Sequence, residues 1–480
     1  MQEFWHKKCY SNLRNYSCFF MIKGYTLIPF PRHFLFGTVM VFLFVTATTH
    51  LHAQQTYVPF DTLTKYKKDI FLRHFKERYT AYIDRHARRF KGKQRSYLKK
   101  YLKAYFEHAH KEFSHNELYF NKEGNQFLNE LYAGLRRNNP QLRNTKVYLY
   151  LSRHVTPNAY SVGEGTIAVH LDLLRYLENE NQLAAVLSHE LSHYLLDHLG
   201  KSYGEYVRYL TSPEYKQKVK EVFHDRYGRG ERAEAMLKNI LYSRKRKSRK
   251  QEMEADSLGL LLYLNAGYPA PDYIRVMHIL DSVDTEKDSL RRDFLRRWFN
   301  TPSQPFDEEW LYLEDFTAYH YRKDKDEDSL KSHPDMKLRA ERLEKMLREI
   351  NNQKSSSSPK IHPYFNELKK RAGYEKVFNL YYRREYGQAL YDILKNLQKQ
   401  PDDPFFLKMF VLTFDKLTDA KKNFALSRYV PPYNPRKHTD SQRLFINFLN
   451  NMEYEQMENI LHDYEHILKQ KHISKKIFAK

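Results

Sequence analysis

The residues best equipped to do chemistry are His189, Glu190 and His193, in the run "NQLAAVLSHELSHYLLDHLG". On a helix, His189 and His193 lie one turn apart and point the same way, so both imidazoles can reach one ion. Glu190 stands beside them as a base, the arrangement by which zinc peptidases pair two ligands with a proton acceptor. Zinc then needs one more protein ligand and an open position for chemistry. The three-histidine form of the motif requires Gly at position 196 and His at 199, where this chain has Leu196 and Leu199. His198 cannot serve on a continuous helix, because five residues past His193 it is about 140° round the axis. It reads as a surface group or as one packed behind a metal ligand, with Asp197 a possible partner for the His193 ring. A carboxylate must therefore come from elsewhere, and "SRKQEMEAD" contains three. Glu252 and Asp256 share one helical face and Glu254 lies on another. That favours Glu252 as the third ligand of one zinc ion per chain, and Asp256 as an acceptor steadying a ligand imidazole.

The elements that must position these groups can be read around them. Asn179 can cap a helix through the histidine motif, with Gln182 as return partner. Leu183, Val186, Leu187, Leu191, Tyr194 and Leu195 make its apolar face. Upstream, "KVYLYLSR" alternates as a half-buried strand should. "TIAVHL" reads as a second strand after a turn bracketed by Gly163 and Gly165. Residues 201–250 are polar, basic and helical in pattern, and residues 251–269 form a helix closed by Gly267 and Pro269. The stretch from Gln54 to about Arg143 is charged and helical, with "YLKKYLKAYFEHAHKEF" repeating apolar residues at three and four.

Four segments, "PNAYSVGEGTIAVHLDLL", "LAAVLSHELSH", "SRKQEMEAD" and "SHPDMKLRAERL", occur in an order that resembles the HtpX and CAAX-prenyl-protease family of gluzincin zinc metallopeptidases. The resemblance covers about residues 120–350. It implies that Glu252 completes the metal site, and that Asn158 and the strand through Ile167, entered at Gly165, line the substrate cleft. It also implies that His333 approaches the metal as a second catalytic group, with Arg339 nearby. His333 would either donate to the oxyanion or cap the metal when the cleft is empty. Integral-membrane members have several spanning helices; this chain shows no such pattern after residue 53, so it is similar to the soluble, exported BepA-type branch with tetratricopeptide repeats.

The ends of the chain fit that reading. An apolar run beginning at Phe34, flanked by Lys23 and Arg32 and followed by Leu51-His52-Ala53, reads as a signal peptide over residues 1–53. An uncleaved single-span anchor is the alternative. Both cysteines, Cys9 and Cys18, precede that point, so the exported chain would have neither a disulfide framework nor thiol chemistry. The run Ser355–Ser358 and Pro359 mark a linker. Beyond it, "EYGQALYDIL" and "EYEQMENIL" recur at about twice the 34-residue tetratricopeptide period. The expected organisation is thus a charged helical extension over 54–119, a mainly α domain with a small β-sheet (an α+β zincin metallopeptidase) over 120–354, a linker over 355–359, and tetratricopeptide-like helical repeats over 360–480.

The 480 residues carry a formal charge of +23, which favours acidic surfaces such as anionic lipid headgroups. Export argues against nucleic acid. The function expected is a periplasmic zinc endopeptidase acting on unfolded or extended polypeptide from misfolded or stalled envelope proteins. Its repeats would bind envelope assembly proteins. The contrasting reading is a chaperone or scaffold whose zinc site is largely silent.

Overall fold

A computed structural model describes residues 57–60, 65–224, 248–283, 289–313, 336–350, 362–434 and 438–474. The N-terminal apolar run, the serine run and His333 lie outside the described residues. Among the described residues no helix is long and apolar enough to cross a membrane. The described residues are mainly helical, with one four-stranded sheet.

The sheet comprises β1 (Leu118–Tyr119), β2 (Tyr148–Ser152), β3 (Ala159–Ser161) and β4 (Thr166–His170), in the order β1-β2-β4-β3. β2 and β4 are parallel, and the two outer pairings are antiparallel. Alternation along β2 and β4 separates two cores rather than core from water. Leu149, Leu151, Ile167 and Val169 face one core, while Tyr150 and Ala168 face another. This corrects the half-buried expectation for residues 146–153, because a helical hairpin covers the second face.

That hairpin is the charged extension. Helices α1 (Lys65–Ala87) and α2 (Gly92–Ser114) pack Phe71, Phe75 and Tyr79 against Leu102, Phe106 and Phe113. The charged residues occupy the outer faces, which is why the segment is both charged and structural. Arg78 lies over the ring of Tyr148 and pairs with the buried Glu164, tying α1 to the sheet.

On the other face lie α3 (Lys122–Arg137) and α4 (Glu180–Leu195), which carries the histidine motif. Next come α5 (His198–Leu210), α6 (Pro213–His224), α7 over 248–265, α8 (Ala270–Asp281), α9 (Arg292–Trp298) and α10 (Met336–Glu349). The helices after the serine run are α11 (Pro363–Tyr382), α12 (Tyr386–Leu397), α13 (Pro404–Lys422), α14 (Asp440–Asn451) and α15 (Tyr454–Gln470). Phe365, Leu368 and Ala372 of α11 share the core of α4 and the sheet. Conversely, Leu290, Phe294, Phe299 and Trp310 share the core of α12 to α15. His362 N donates to Glu180 Oε2 at 3.0 Å, so the start of α11 also grips the first turn of α4.

Candidate metal centre

Helix α4 begins as its sequence indicates. Asn179 Oδ1 accepts from Gln182 N at 3.1 Å, while the Gln182 amide oxygen accepts from Glu178 N rather than from the cap residue. The apolar face of α4 is buried from Leu183 to Leu191, with Leu195 partly buried against the same core, so its polar edge is held at a fixed angle toward the cleft. There His189 Nε2 and His193 Nε2 are 3.1 Å apart. Helix α7 brings Glu252 to 3.5 Å from each of them. Donor atoms of His189, His193 and Glu252 all lie within 4.8 Å of one another. Two imidazoles and a carboxylate converging on one point suit zinc. Glu252 Oε2 is also buried and makes no hydrogen bond, its contact with the Arg339 guanidinium being an ion pair, so it keeps an acceptor lone pair for a metal.

The surrounding groups orient this set. Asp256 Oδ1 is 3.0 Å from His189 Nδ1, the acceptor position expected of it. Arg339 from α10 holds Asp256 with two hydrogen bonds of 2.7 Å each, and its Nη1 is 3.1 Å from Glu252 Oε2. Burial works against ionisation of Glu252 and Asp256, but His189 and Arg339 more than offset it and hold both below the usual carboxylate range. Burial likewise disfavours charge on His189, yet Asp256 and Glu252 lift it to about 10. His193 moves down to about 3, chiefly through burial and then through the neighbouring His189 charge.

Glu190 is set apart from the ligands. Its Oε2 accepts from Ser161 N of the edge strand β3 at 2.9 Å, which aims the carboxylate across the cleft. Burial raises it to about 7, a value suited to exchanging protons near neutrality. The cleft holds about 660 Å³ and is lined by Asn158, Ala159, Val186, His189, Glu190 and Arg339, among others.

Several sequence-based expectations are corrected here. Gly165 and Ile167 do not line the cleft. β4 is flanked by β2 and β3, Ile167 is fully buried, and Gly165 O accepts from Tyr148 N. Gly165 is required because its φ is +118° and a Cβ would meet Lys146 O at 2.6 Å. The edge strand beside the cleft is β3, whose outer edge is unpaired among the described residues. Asn158 does line the cleft.

Asp197 is not the partner of His193. It accepts from Tyr82 Oη and contacts His86 Nε2, both at 2.7 Å, in α1. The helix through the histidine motif stops at Leu195 and does not continue through His198, and Asp197 adopts φ 52°. This turn sends His198 back to His193, with their Nδ1 atoms 2.9 Å apart, and on to Glu254. His198, expected either at the surface or behind a metal ligand, is buried against His193, which decides for the second. The Ser161 amide, and the contact of His198 with His193, were not foreseen because both depend on chain reversals. An Asp two residues past the last apolar position, able to take a left-handed conformation, was the available signal.

Comparison with known proteins agrees with the geometry. Residues 125–347 match Peptidase family M48. A beta-barrel assembly-enhancing protease of Yersinia pestis is 36% identical over 83 residues, 17% of either chain. The protein of that name from Escherichia coli (strain K12) is 36% identical over 58 residues, 12% of either chain. The matched segments thus span less than a fifth of these relatives' length.

Proposed function

We propose, from a chain whose residues 125–347 form a family M48 peptidase domain, that this protein is an exported zinc metalloendopeptidase cleaving misfolded or stalled envelope proteins. The observation that carries the reading is Glu190 held by the β3 edge beside the His189, His193 and Glu252 donor set. Bound zinc would supply Lewis acidity toward water and a peptide carbonyl. Glu190 takes the proton from the attacking water and returns it to the leaving amine. Arg339 and Asp256 keep His189 and Glu252 oriented, and the buried walls of the cleft exclude bulk water. An extended peptide can add along the free edge of β3 by backbone pairing, a mode that reads unfolded chain rather than one side chain.

The wider role rests on further supports. The relatives' printed name ties them to β-barrel assembly. The tandem helices within 360–480 suit tetratricopeptide-like docking of envelope assembly proteins, and the chain's +23 charge suits anionic membrane surfaces. The N-terminal apolar run supports export to the periplasm, with an uncleaved anchor as the alternative. His333 lies outside the described residues and keeps its two expected roles, oxyanion donor or metal cap. The test is cleavage of denatured casein by the full chain. Activity should vanish with a chelator and return with zinc, and Glu190→Gln should lose at least about a hundredfold while retaining one zinc. Full activity of zinc-loaded Glu190→Gln would sink the mechanism.

A further inference from the structure

We infer that His198 and Glu254 act as a positioning pair that fixes the His193 ring with Nε2 as its free lone pair, ready for a metal. The inference rests on the zinc reading above and goes beyond its ligand set. His198 Nε2 is 3.2 Å from Glu254 Oε2, and His198 Nδ1 is 2.9 Å from His193 Nδ1. An ionised carboxylate only accepts, so the His198 Nε2 facing it carries a proton. Two imidazole nitrogens 2.9 Å apart share a single proton, and His198 Nδ1, on a ring already protonated at Nε2, is the acceptor. His193 Nδ1 is therefore the donor, and its remaining lone pair is on Nε2. That atom faces His189 Nε2 and Glu252.

The two ligand histidines are thus oriented in different ways. His189 has a carboxylate directly at its Nδ1, namely Asp256. His193 has a carboxylate one imidazole further away. The geometry needs the left-handed turn at Asp197, since on an unbroken helix His198 would point about 140° away from His193. His198 is 4% exposed, so water cannot readily replace its acceptor nitrogen. Lys250 lies 3.8 Å from Glu254 on the outer side of the pair.

The test is zinc affinity of the full-length protein, measured with zinc alone against a chelating indicator, with thermal unfolding as the check on folding. H198N retains an acceptor close to the Nδ1 position, whereas H198L keeps bulk and loses it. H198L should weaken zinc binding about tenfold to a hundredfold, and H198N should stay within about threefold of the unaltered chain. E254A, at a rim position that cannot collapse the core, should weaken binding by about threefold or more. Equal affinity of H198L and the unaltered chain would overturn the pair, and so would equal weakening of H198L and H198N, which would mean packing alone. Failure of the zinc reading looks different: the unaltered chain would bind no zinc, or H189A would bind it as well.

Discussion

Gly259 of α7 lies directly against His189 of α4: a Cβ at Gly259 would meet His189 N and Cα at 3.1 Å each, and the Tyr273 hydroxyl at 2.6 Å. The two helices that carry the metal donors touch through a residue with no side chain. That contact lets Glu252, two turns earlier on α7, reach both imidazoles.

Gly259→Ala should therefore act on the centre without touching a ligand. Helix propensity would favour Ala, but overpacking costs about 1–3 kcal/mol and opens the gap between α4 and α7. The expected outcome is a lower unfolding midpoint together with weaker zinc binding. Stabilisation by Ala, read by thermal unfolding, would contradict the close approach.

Arg339→Met should be costly because it takes from the buried Asp256 and Glu252 one of their two cationic partners, leaving only His189. Removing one partner of such a group costs about 3–5 kcal/mol. The pH dependence follows from the direction of the shifts. Both carboxyls are depressed in the fold, so their contribution is present above the unfolded value, about 4, and is lost as pH falls below it. Denaturant unfolding of chelated protein should show a large deficit for Arg339→Met at pH 7 and a smaller one at pH 3. An equal deficit at both would assign Arg339 to packing instead.

Asp197→Ala should loosen the end of α4. The carboxylate accepts from Tyr82 and pairs with His86, and its φ of 52° disfavours Ala. Losing charged hydrogen bonds costs about 1.5–3 kcal/mol, and the left-handed backbone about 1 kcal/mol more. Asp197→Asn tolerates that backbone and keeps one acceptor, so it should lose less. Comparing the two by urea denaturation separates the hydrogen bonds from the turn.

Phe365→Ala tests how far the catalytic core extends past the serine run. Phe365 is fully buried among residues of the sheet and α4, and truncating such a ring costs about 3–5 kcal/mol. Protease susceptibility should rise and casein cleavage should fall, and a chain ending at Pro359 should fare worse. Unchanged casein cleavage by that shorter chain would show that the core closes without α11.

The sequence by itself determined the parts of this site that depend on helical period. His189 and His193 at a spacing of four, and Glu252 with Asp256 at the same spacing, each occupy one face wherever the helices go, so Glu254 could be set aside before any fold was known, while the family resemblance singled out Glu252. Local turn chemistry also carried through, in the Asn179 cap and the two glycines of the turn before β4. What only the tertiary structure decided concerns reversals and covering layers. Whether β4 offers an edge depends on β3 folding back beside it, which no property of "TIAVHL" dictates. The charge of residues 65–114 concealed aromatic faces that cover the sheet and clamp Asp197. His198 was assigned by extending a helix that the left-handed residue Asp197 interrupts, and that one change of backbone sign turns an outward ring into the partner of a ligand. Periodicity is a property of consecutive residues; which faces meet is settled by burial of apolar surface across the whole chain.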